Sequence, residues 1–524
     1  MPTQHRVLRN AYHDSVTLMQ HSDKVAALPS IRQASMVMAT EGNLDLLREA
    51  GLLKDQSIDA GPNDLLIIVE GDQPAALESA LDEAQRILNE KPPTASSDGQ
   101  VGEIHPRSSS MALAGSGGAN LALISTPGDY AAAEARKALQ LGLHVMIFSD
   151  NVSLEDEIGL KQYARDQGLL MMGPDCGTAI LNGVPLGFAN VVKRGNIGII
   201  AASGTGLQQV SSLIDRRGGG ISQAVGTGSH DLGAKVGGIT MLQALEMLAA
   251  DPATKVIVLI SKPPSPEVAS KVLDQAKKAG KSVVVDFVGA DPTEFTKGNL
   301  HGARTLDQAA SLAVALASGD APPEGDLEPH PDLVELVETA ASKLSPGQKY
   351  IRGLFSGGTL GYEALLLLGD SIGDVYSNIP LQPEYKLADV WASREHTVID
   401  LGDDVFTMGR PHPMIDFRLR NERLIKEAAD PETAVILLDV VLGYGAHNNP
   451  AAELDPAIRE AFNTARSAGR DLIIVGSVCG TQGDPQNLGR QEALLREAGV
   501  ILAESNAQAT RLAAAALSKQ KVTG

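Results

Sequence analysis

Aromatic residues make up only 3% of the 524 positions, with a single Trp, and there are just two cysteines, Cys176 and Cys479. The first scarcity means aliphatic cores. The second excludes a disulfide framework and a cysteine-built metal site, and it fits a reducing compartment. Positive charge is short as well: 44 Lys plus Arg against 64 Asp plus Glu leave a net charge of −20. Such a surface repels a phosphodiester backbone, so nucleic acid is not an expected partner. No apolar run approaches the ~18 residues of a membrane span, and Met1-Pro2-Thr3-Gln4-His5-Arg6 does not open a secretory leader. A cytoplasmic protein without a membrane partner is expected.

What is plentiful is glycine, 53 residues, in a chain whose hydrophobic content of 43% is ordinarily globular. At roughly 100–200 residues per domain the length allows three or four units. Two Pro/Gly/Ser/charge-rich stretches, Lys91 to Gln100 and Ser318 to Pro331, read as linkers. Residues 1–92 form a small N-terminal α/β module. Short strands apolar on both faces then recur, among them Asn120 to Ser125, His144 to Phe148, Asn196 to Ala202, Lys255 to Ile260 and Ser282 to Phe287. Each precedes an amphipathic segment, which predicts α/β domains with parallel, doubly wound sheets. A break near Lys193-Arg194-Gly195 divides this region into a Rossmann-like domain, 105–193, and a flavodoxin-like domain, 194–318. A third domain, 345–520, repeats the pattern.

Two features occur twice. Ser203-Gly204-Thr205-Gly206 and Ser356-Gly357-Gly358-Thr359 each follow a strand and open a helix, and Asp251-Pro252 and Asp430-Pro431 each precede another strand. The first landmarks are 153 residues apart and the second 179, which predicts two related domains, the later one with an insertion. A strand that turns through Ser-Gly into a helix presents unpaired N–H groups and a positive helix end, where anions bind. The alternative for each loop is an ordinary N-cap turn. Two such loops facing each other would clamp one phosphate.

The motifs Gly173-Pro174-Asp175-Cys176-Gly177, Gly195 to Ile200, Ser203-Gly204-Thr205, Gly226-Thr227-Gly228 and Asp251-Pro252 occur in an order that resembles the α subunit of succinyl-CoA synthetase, and the last domain resembles the carboxyl-terminal domain of its β subunit. The whole chain is similar to the FdrA family of acyl-CoA-synthetase-like proteins. That match is carried by Asp14-Ser15-Val16, Asp400-Leu401-Gly402-Asp403-Asp404, Gly409 to Asp416, Gly443-Tyr444-Gly445-Ala446-His447 and Val478 to Pro485. The resemblance implies a succinyl-CoA-synthetase fold in which two helices, starting at Ser203 and Ser356, point at one phosphate. It also implies oligomeric assembly with subunits encoded nearby, and it places coenzyme A or substrate loops at Ser125-Thr126-Pro127 and Gly173-Pro174-Asp175-Cys176.

Two departures change the expected chemistry. Ile260-Ser261-Lys262-Pro263-Pro264 puts a lysine where the synthetase has the glutamate that supports its phosphohistidine, and only Asn299-Leu300-His301-Gly302-Ala303 stands in the histidine region. His301 is therefore a poor phosphate carrier. An ATP-grasp domain is absent from the chain, so ATP-driven ligation would need another polypeptide. Some FdrA-family proteins are subunits of oxamate carbamoyltransferase, which converts oxalurate and phosphate into oxamate and carbamoyl phosphate. The resemblance thus implies an enzyme using phosphate or carbamoyl phosphate as substrate or product, with no certain cofactor, no metal, and coenzyme A still open. The alternatives are an acyl-CoA synthetase working with a separate ATP-grasp subunit, and a non-catalytic scaffold.

Three further residues are candidates for catalysis. Arg410 could hold a carboxylate or phosphate in bidentate fashion or bridge to Asp403 or Asp404. His412 and His447 lie in Gly/Pro-rich loops and could transfer protons or hydrogen-bond structurally. Cys176 and Cys479 have no nearby histidine to activate them and read better as small buried side chains. Gly115-Ser116-Gly117-Gly118 precedes its strand instead of following it, so it fails as a nucleotide loop.

Overall fold

The computed structural model describes residues 2–518 apart from 12, 14, 41–42, 45–46, 49–50, 54–57, 90–105, 107, 324, 326 and 408–409. The linker expected at 91–100, Asp14 of the N-terminal motif, Gly409, and the 520 end of the last domain lie outside the described residues. No described helix is long and apolar enough to cross a membrane.

The first unit is an antiparallel sheet in the order β1 (Thr3–Leu8), β3 (Leu65–Gly71), β2 (Ile31–Met38). Helices Ser15–Ala26 and Pro74–Asn89 bury Leu18, Leu77, Leu81 and Ala84 against Met36, Ile67 and Val69. The second is a parallel sheet of β4 (Leu121–Ile124), β5 (His144–Ile147) and β6 (Met171–Met172). One face of it is covered by helices Gly128–Gln140 and Leu154–Asp166.

The next two units share one plan. In the first, β9 (Arg194–Ala201) lies between β10 (Ile221–Gly226) and β11 (Val256–Ser261), which is followed by β12 (Ser282–Phe287) and β13 (Leu300–Gly302). In the second, β14 (Tyr350–Phe355) lies between β16 (Thr397–Asp400) and β17 (Thr433–Val441), followed by β18 (Ile473–Cys479) and β19 (Ile501–Ala503). The insertion expected from the spacing adds β15 (Tyr376–Ser377) at the sheet edge and the loops around β16. Two domain boundaries differ from expectation. β7 (Thr178–Leu181) and β8 (Val184–Gly187) fall before residue 193, yet β7 pairs with β10 and so both extend the sheet of this pair's first member. Helix Pro331–Ala341 fills the space between the expected linker and residue 345, and it packs on helix Asn506–Ser518.

Helices Gly204–Arg216, Leu306–Ser318, Gly358–Ile372 and Asn506–Ser518 form a layer between the two larger sheets. Leu207, Val210, Ile214, Leu306 and Ala310 share one continuous core with Leu360, Ala364, Leu368 and Leu512. Aliphatic burial of this kind contributes roughly 1.5–3 kcal/mol per side chain. The carboxylate of Asp307 crosses the layer to accept from Ser505 Oγ and, at 3.0 Å, from Gln508 Nε2. The two domains are therefore held in one arrangement, with the ends of β9 and β14 at a common junction.

Candidate functional site at the junction of two strand ends

Ser203 is the N-cap of helix Gly204–Arg216, its Oγ accepting from Gly206 N at 2.9 Å. Gly357 caps helix Gly358–Ile372. Both helices leave the C-terminal end of a parallel strand, where α/β sheets bind ligands. The two loops touch: Ser203 Oγ lies 2.6 Å from Thr359 Oγ1, and Thr359 N donates to Thr205 Oγ1 at 3.4 Å. The two loops thus meet, as expected, but in direct contact and not across an open cavity. Cavities of about 330 and 430 Å³ lie elsewhere, one lined by Arg194 and Gly219, the other by His144, Val184 and Met247.

The loops are not equivalent. Ser356 N and Gly357 N both donate to the Asp439 carboxylate at 2.8 Å, and Ser356 Oγ lies 3.1 Å from each of its oxygens. Asp439 is wholly buried and pairs with the equally buried Arg420 at 2.8 Å. A carboxylate of the chain itself therefore occupies the place expected for phosphate at Ser356 and Gly357, because an uncapped helix start buried under a sheet must find an anion or acceptor. Among the described residues no acceptor faces Gly204 N, Thr205 N or Gly358 N. These three N–H groups stand at the two helix starts, whose hydroxyls, on Ser203, Thr205 and Thr359, join the loops to each other.

Lys262, directly after β11, acts across the domain boundary on the charge of Asp400 at the end of β16, its Nζ lying 5.7 Å from the centroid of the Tyr362 ring. Asp400 is 7% exposed; its Oδ1 accepts from Gly402 N at 2.9 Å, while Asn378 holds its N–H and carbonyl at 3.0 Å each. Burial pushes its carboxyl up to about 6, against the opposing pull of Lys262 and the Gly402 N–H. A Cβ on Gly358 would sit 2.5 Å from Asp400 Oδ2, and one on Gly402 would sit 2.8 Å from His412 Nε2 and 3.1 Å from Asp400 Oδ1. Gly358 and Gly402 are thus glycines because the carboxyl and the imidazole crowd their Cα atoms.

Of the three catalytic candidates, His412 reaches this cluster. Its Nδ1 accepts from Met414 N at 3.2 Å, and burial pulls the ring down to about 4, so it is neutral with its proton on Nε2. Arg410 stacks over Trp391, 5.6 Å from the ring centroid, and makes no ion pair to Asp403 or Asp404 among the described residues. His447 serves its own turn: Nδ1 accepts from Asn449 N at 3.1 Å and its N–H donates to Met414 O. His301 lies within β13, three strands from β9, about 14 Å across at ~4.8 Å per strand. Its strand position gives no support to a phosphate-carrying role.

The expected coenzyme A loops stand at the ends of β4, β5 and β6. Ser149 Oγ donates to Thr126 O at 2.5 Å, the Thr126 hydroxyl is buried without a partner, and helix Gly128–Gln140 starts after Pro127 with no side-chain cap. That corner, reached from Ser125, fits one polar group of a large ligand. Asp175, next to Gly173-Pro174, lies in solvent reach yet surrounded by protein; desolvation raises its carboxyl, and Asp150 and Asp404 add to the shift. Those carboxylates do not fit a second anionic group. Cys176 is a buried, packed side chain: burial pushes its thiol up to about 12, and Sγ lies 3.4 Å from Gly226 O. Cys479 is likewise buried and free.

Two motifs without an expected role turn out to be fasteners. Asp484 accepts from Asn190 Nδ2, Val191 N and Thr481 N at 2.8, 2.7 and 2.7 Å, and Tyr444 N donates to Ala189 O at 2.9 Å. Phe188 of the same segment stacks toward His412, with ring centroids 5.9 Å apart.

An interface of two flavodoxin-like strand ends, each opening a helix, is the arrangement of an acyl-CoA-synthetase-like protein. Family models agree: one described as CoA-ligase matches residues 354–516, one described as CoA binding domain matches 192–289, and one described as AllF, heavy metal-associated domain, matches 1–104. The coenzyme A match thus falls on the unit carrying Ser203, beside the 105–193 unit where the resemblance put it. With 46% identity to the uncharacterized protein YahF of Escherichia coli K12 over 96% of both chains, the protein belongs to the FdrA family. The succinate–CoA ligase [ADP-forming] α subunit of Aquifex aeolicus is 32% identical over 149 residues, 27% of this chain and 48% of that one. This chain therefore matches about half the length of that relative. The crystal structure of PH0766 from Pyrococcus horikoshii OT3 is 17% identical, covers 77% of this chain and 84% of its own, and superposes with a TM-score of only 0.31. The described residues of the first unit do not fit a heavy-metal ion: both cysteines of the chain lie outside it, and no cluster of three His, Cys, Asp or Glu occurs among the described residues.

Proposed function

We propose that the junction of the Ser203 and Thr359 loops binds phosphate, or the phospho group of an acyl or carbamoyl phosphate, and that the chain is the phosphate-handling subunit of a transferase. The observation that supports this most is the contact of two strand-end loops that leaves Gly204 N, Thr205 N and Gly358 N without acceptors. Lys262 supports it as well, since a cation stands where a phosphohistidine relay would need a carboxylate. Fixed N–H donors and a lysine suit a direct reaction of phosphate more than a covalent relay. The finer reading is the carbamoyltransferase chemistry, oxalurate plus phosphate to oxamate plus carbamoyl phosphate. Phosphorolysis of oxalurate, assayed with the chain alone and with the products of neighbouring genes, tests it. Carbamoyl phosphate formation is expected, and its absence in every combination overturns the reading.

The family matches favour a second reading, acyl-CoA ligation with coenzyme A as substrate and a separate ATP-grasp subunit. It requires nucleotide-dependent, coenzyme A-dependent turnover in the assembled complex. The two readings part on whether phosphate alone supports reaction.

A further inference from the structure

We propose that Asp400 is the proton carrier of the transfer step, taking the proton of the incoming phosphate and delivering it to the nitrogen that leaves. This rests on the phosphate-dependent carbamoyl-transfer reading. When hydrogen phosphate attacks the carbonyl of a ureide, R–NH–CO–NH2, a phosphate oxygen bonds to the carbonyl carbon and the C–N bond breaks with its electron pair on nitrogen. Dianionic carbamoyl phosphate forms only as the phosphate gives up its proton, and the departing amide anion must gain one. One proton therefore moves from oxygen to nitrogen, and a single carboxyl can carry it without an added reactant.

Asp400 is placed for this by three observations. Its Oδ1 and its peptide group are pinned by Gly402 and Asn378, while Oδ2 has no hydrogen-bond donor among the described residues. Oδ2 lies against the Cα of Gly358, at the helix start whose N–H is open, so an anion seated on Gly204, Thr205 and Gly358 would lie beside it. The groups around the carboxyl are Lys262 after β11, Asp439 in β17, Asp403 on its own loop, and the neutral His412 beyond Gly402. Burial and the two like charges favour the protonated form while Lys262 opposes them, leaving the group near 6, where a carboxyl both accepts and releases a proton efficiently.

Two measurements on the full chain, in its assembled complex for turnover, decide the matter. Sulfate keeps its charge from pH 5 to 8, so its binding, followed by titration calorimetry, reports the protein's protons. Sulfate affinity of the parent is expected to fall at least tenfold from pH 5 to pH 7.5, and that of Asp400→Asn to stay level. A parent without pH dependence, or a variant with the same slope, overturns the proposal. In phosphorolysis, Asp400→Asn should lose at least a hundredfold in kcat on a ureide donor and at least tenfold less than that on 4-nitrophenyl carbamate, whose phenolate leaves without a proton so that only the phosphate's proton remains to be taken up. Equal losses on both donors would make Asp400 a structural residue. A parent inactive on both overturns the carbamoyl-transfer reading and its proton step, while the sulfate titration separately reports whether Asp400 holds a proton against the anion.

Discussion

The Ser203 and Ser356 loops read alike in sequence and differ in what they hold. At Ser356 the helix start is closed by Asp439, which takes two backbone N–H groups and is balanced by Arg420. At Ser203 the cap is a hydroxyl, and Gly204 N and Thr205 N remain open. One copy of the duplicated loop has become a structural anchor with its own internal anion, and the other is capped by a hydroxyl alone. The difference teaches that a helix N-terminus is a site only where the chain does not supply its own carboxylate.

The largest effect expected is at the closed loop. Asp439→Ala leaves Arg420 buried and unpaired and takes the acceptor from Ser356 N and Gly357 N, so stability should fall by about 3–5 kcal/mol, read from urea unfolding. The next separates two glycines. Gly358→Ala drives a Cβ to 2.5 Å from Asp400 Oδ2, whereas Gly204→Ala meets only Thr178 Oγ1, at 3.3 Å. The first should cost roughly 1–3 kcal/mol and the second much less, measured in the same way. Equal costs would mean that the loops are packed alike.

A smaller effect is expected from Thr359→Val, which removes the hydroxyl 2.6 Å from Ser203 Oγ. Phosphate affinity should fall about tenfold, the equivalent of 1.4 kcal/mol, with the unfolding midpoint little changed. The pH dependence of stability has a definite sign. Asp400, with its folded pKa raised to about 6 from 3.8, binds more protons folded than unfolded between those values, so its contribution falls as pH rises through that window. Asp400→Asn should flatten that part of the stability profile. The smallest effect concerns Cys176 and Cys479: both are buried and free, with thiols pushed up by burial, so neither should react with a disulfide reagent until the protein unfolds.

Much of the architecture was legible because parallel strands buried on both faces announce themselves as apolar runs. Ser282–Phe287 was read to the residue, and the duplication followed from Ser-Gly and Asp-Pro landmarks whose sheets then proved to share one strand order. The short strands β6, β13, β15 and β19 were not, since two or three residues carry no period. The β7–β8 hairpin crossed an expected boundary because its pairing with β10 is a long-range choice that local composition does not encode. In the site, the meeting of the two loops was readable, but Asp439 was not: an aspartate inside Thr433–Val441 gives no sign of which helix it caps. Asp400 stood in a quoted motif without a role, because its crowding comes from Gly358, Lys262 and His412, on other elements.

The central claim, that the open half of this junction is an anion site, is tested most directly by titrating phosphate calorimetrically into the parent and into Gly204→Val. The substitution obstructs approach to the Gly204 and Thr205 N–H groups where the nearest neighbour of a new Cβ is a single hydroxyl oxygen. Affinity should drop at least tenfold, about 1.4 kcal/mol, in a variant that unfolds at nearly the parent's urea concentration. A folded variant that binds phosphate as tightly as the parent would contradict the account and leave both Ser-Gly loops as ordinary helix caps.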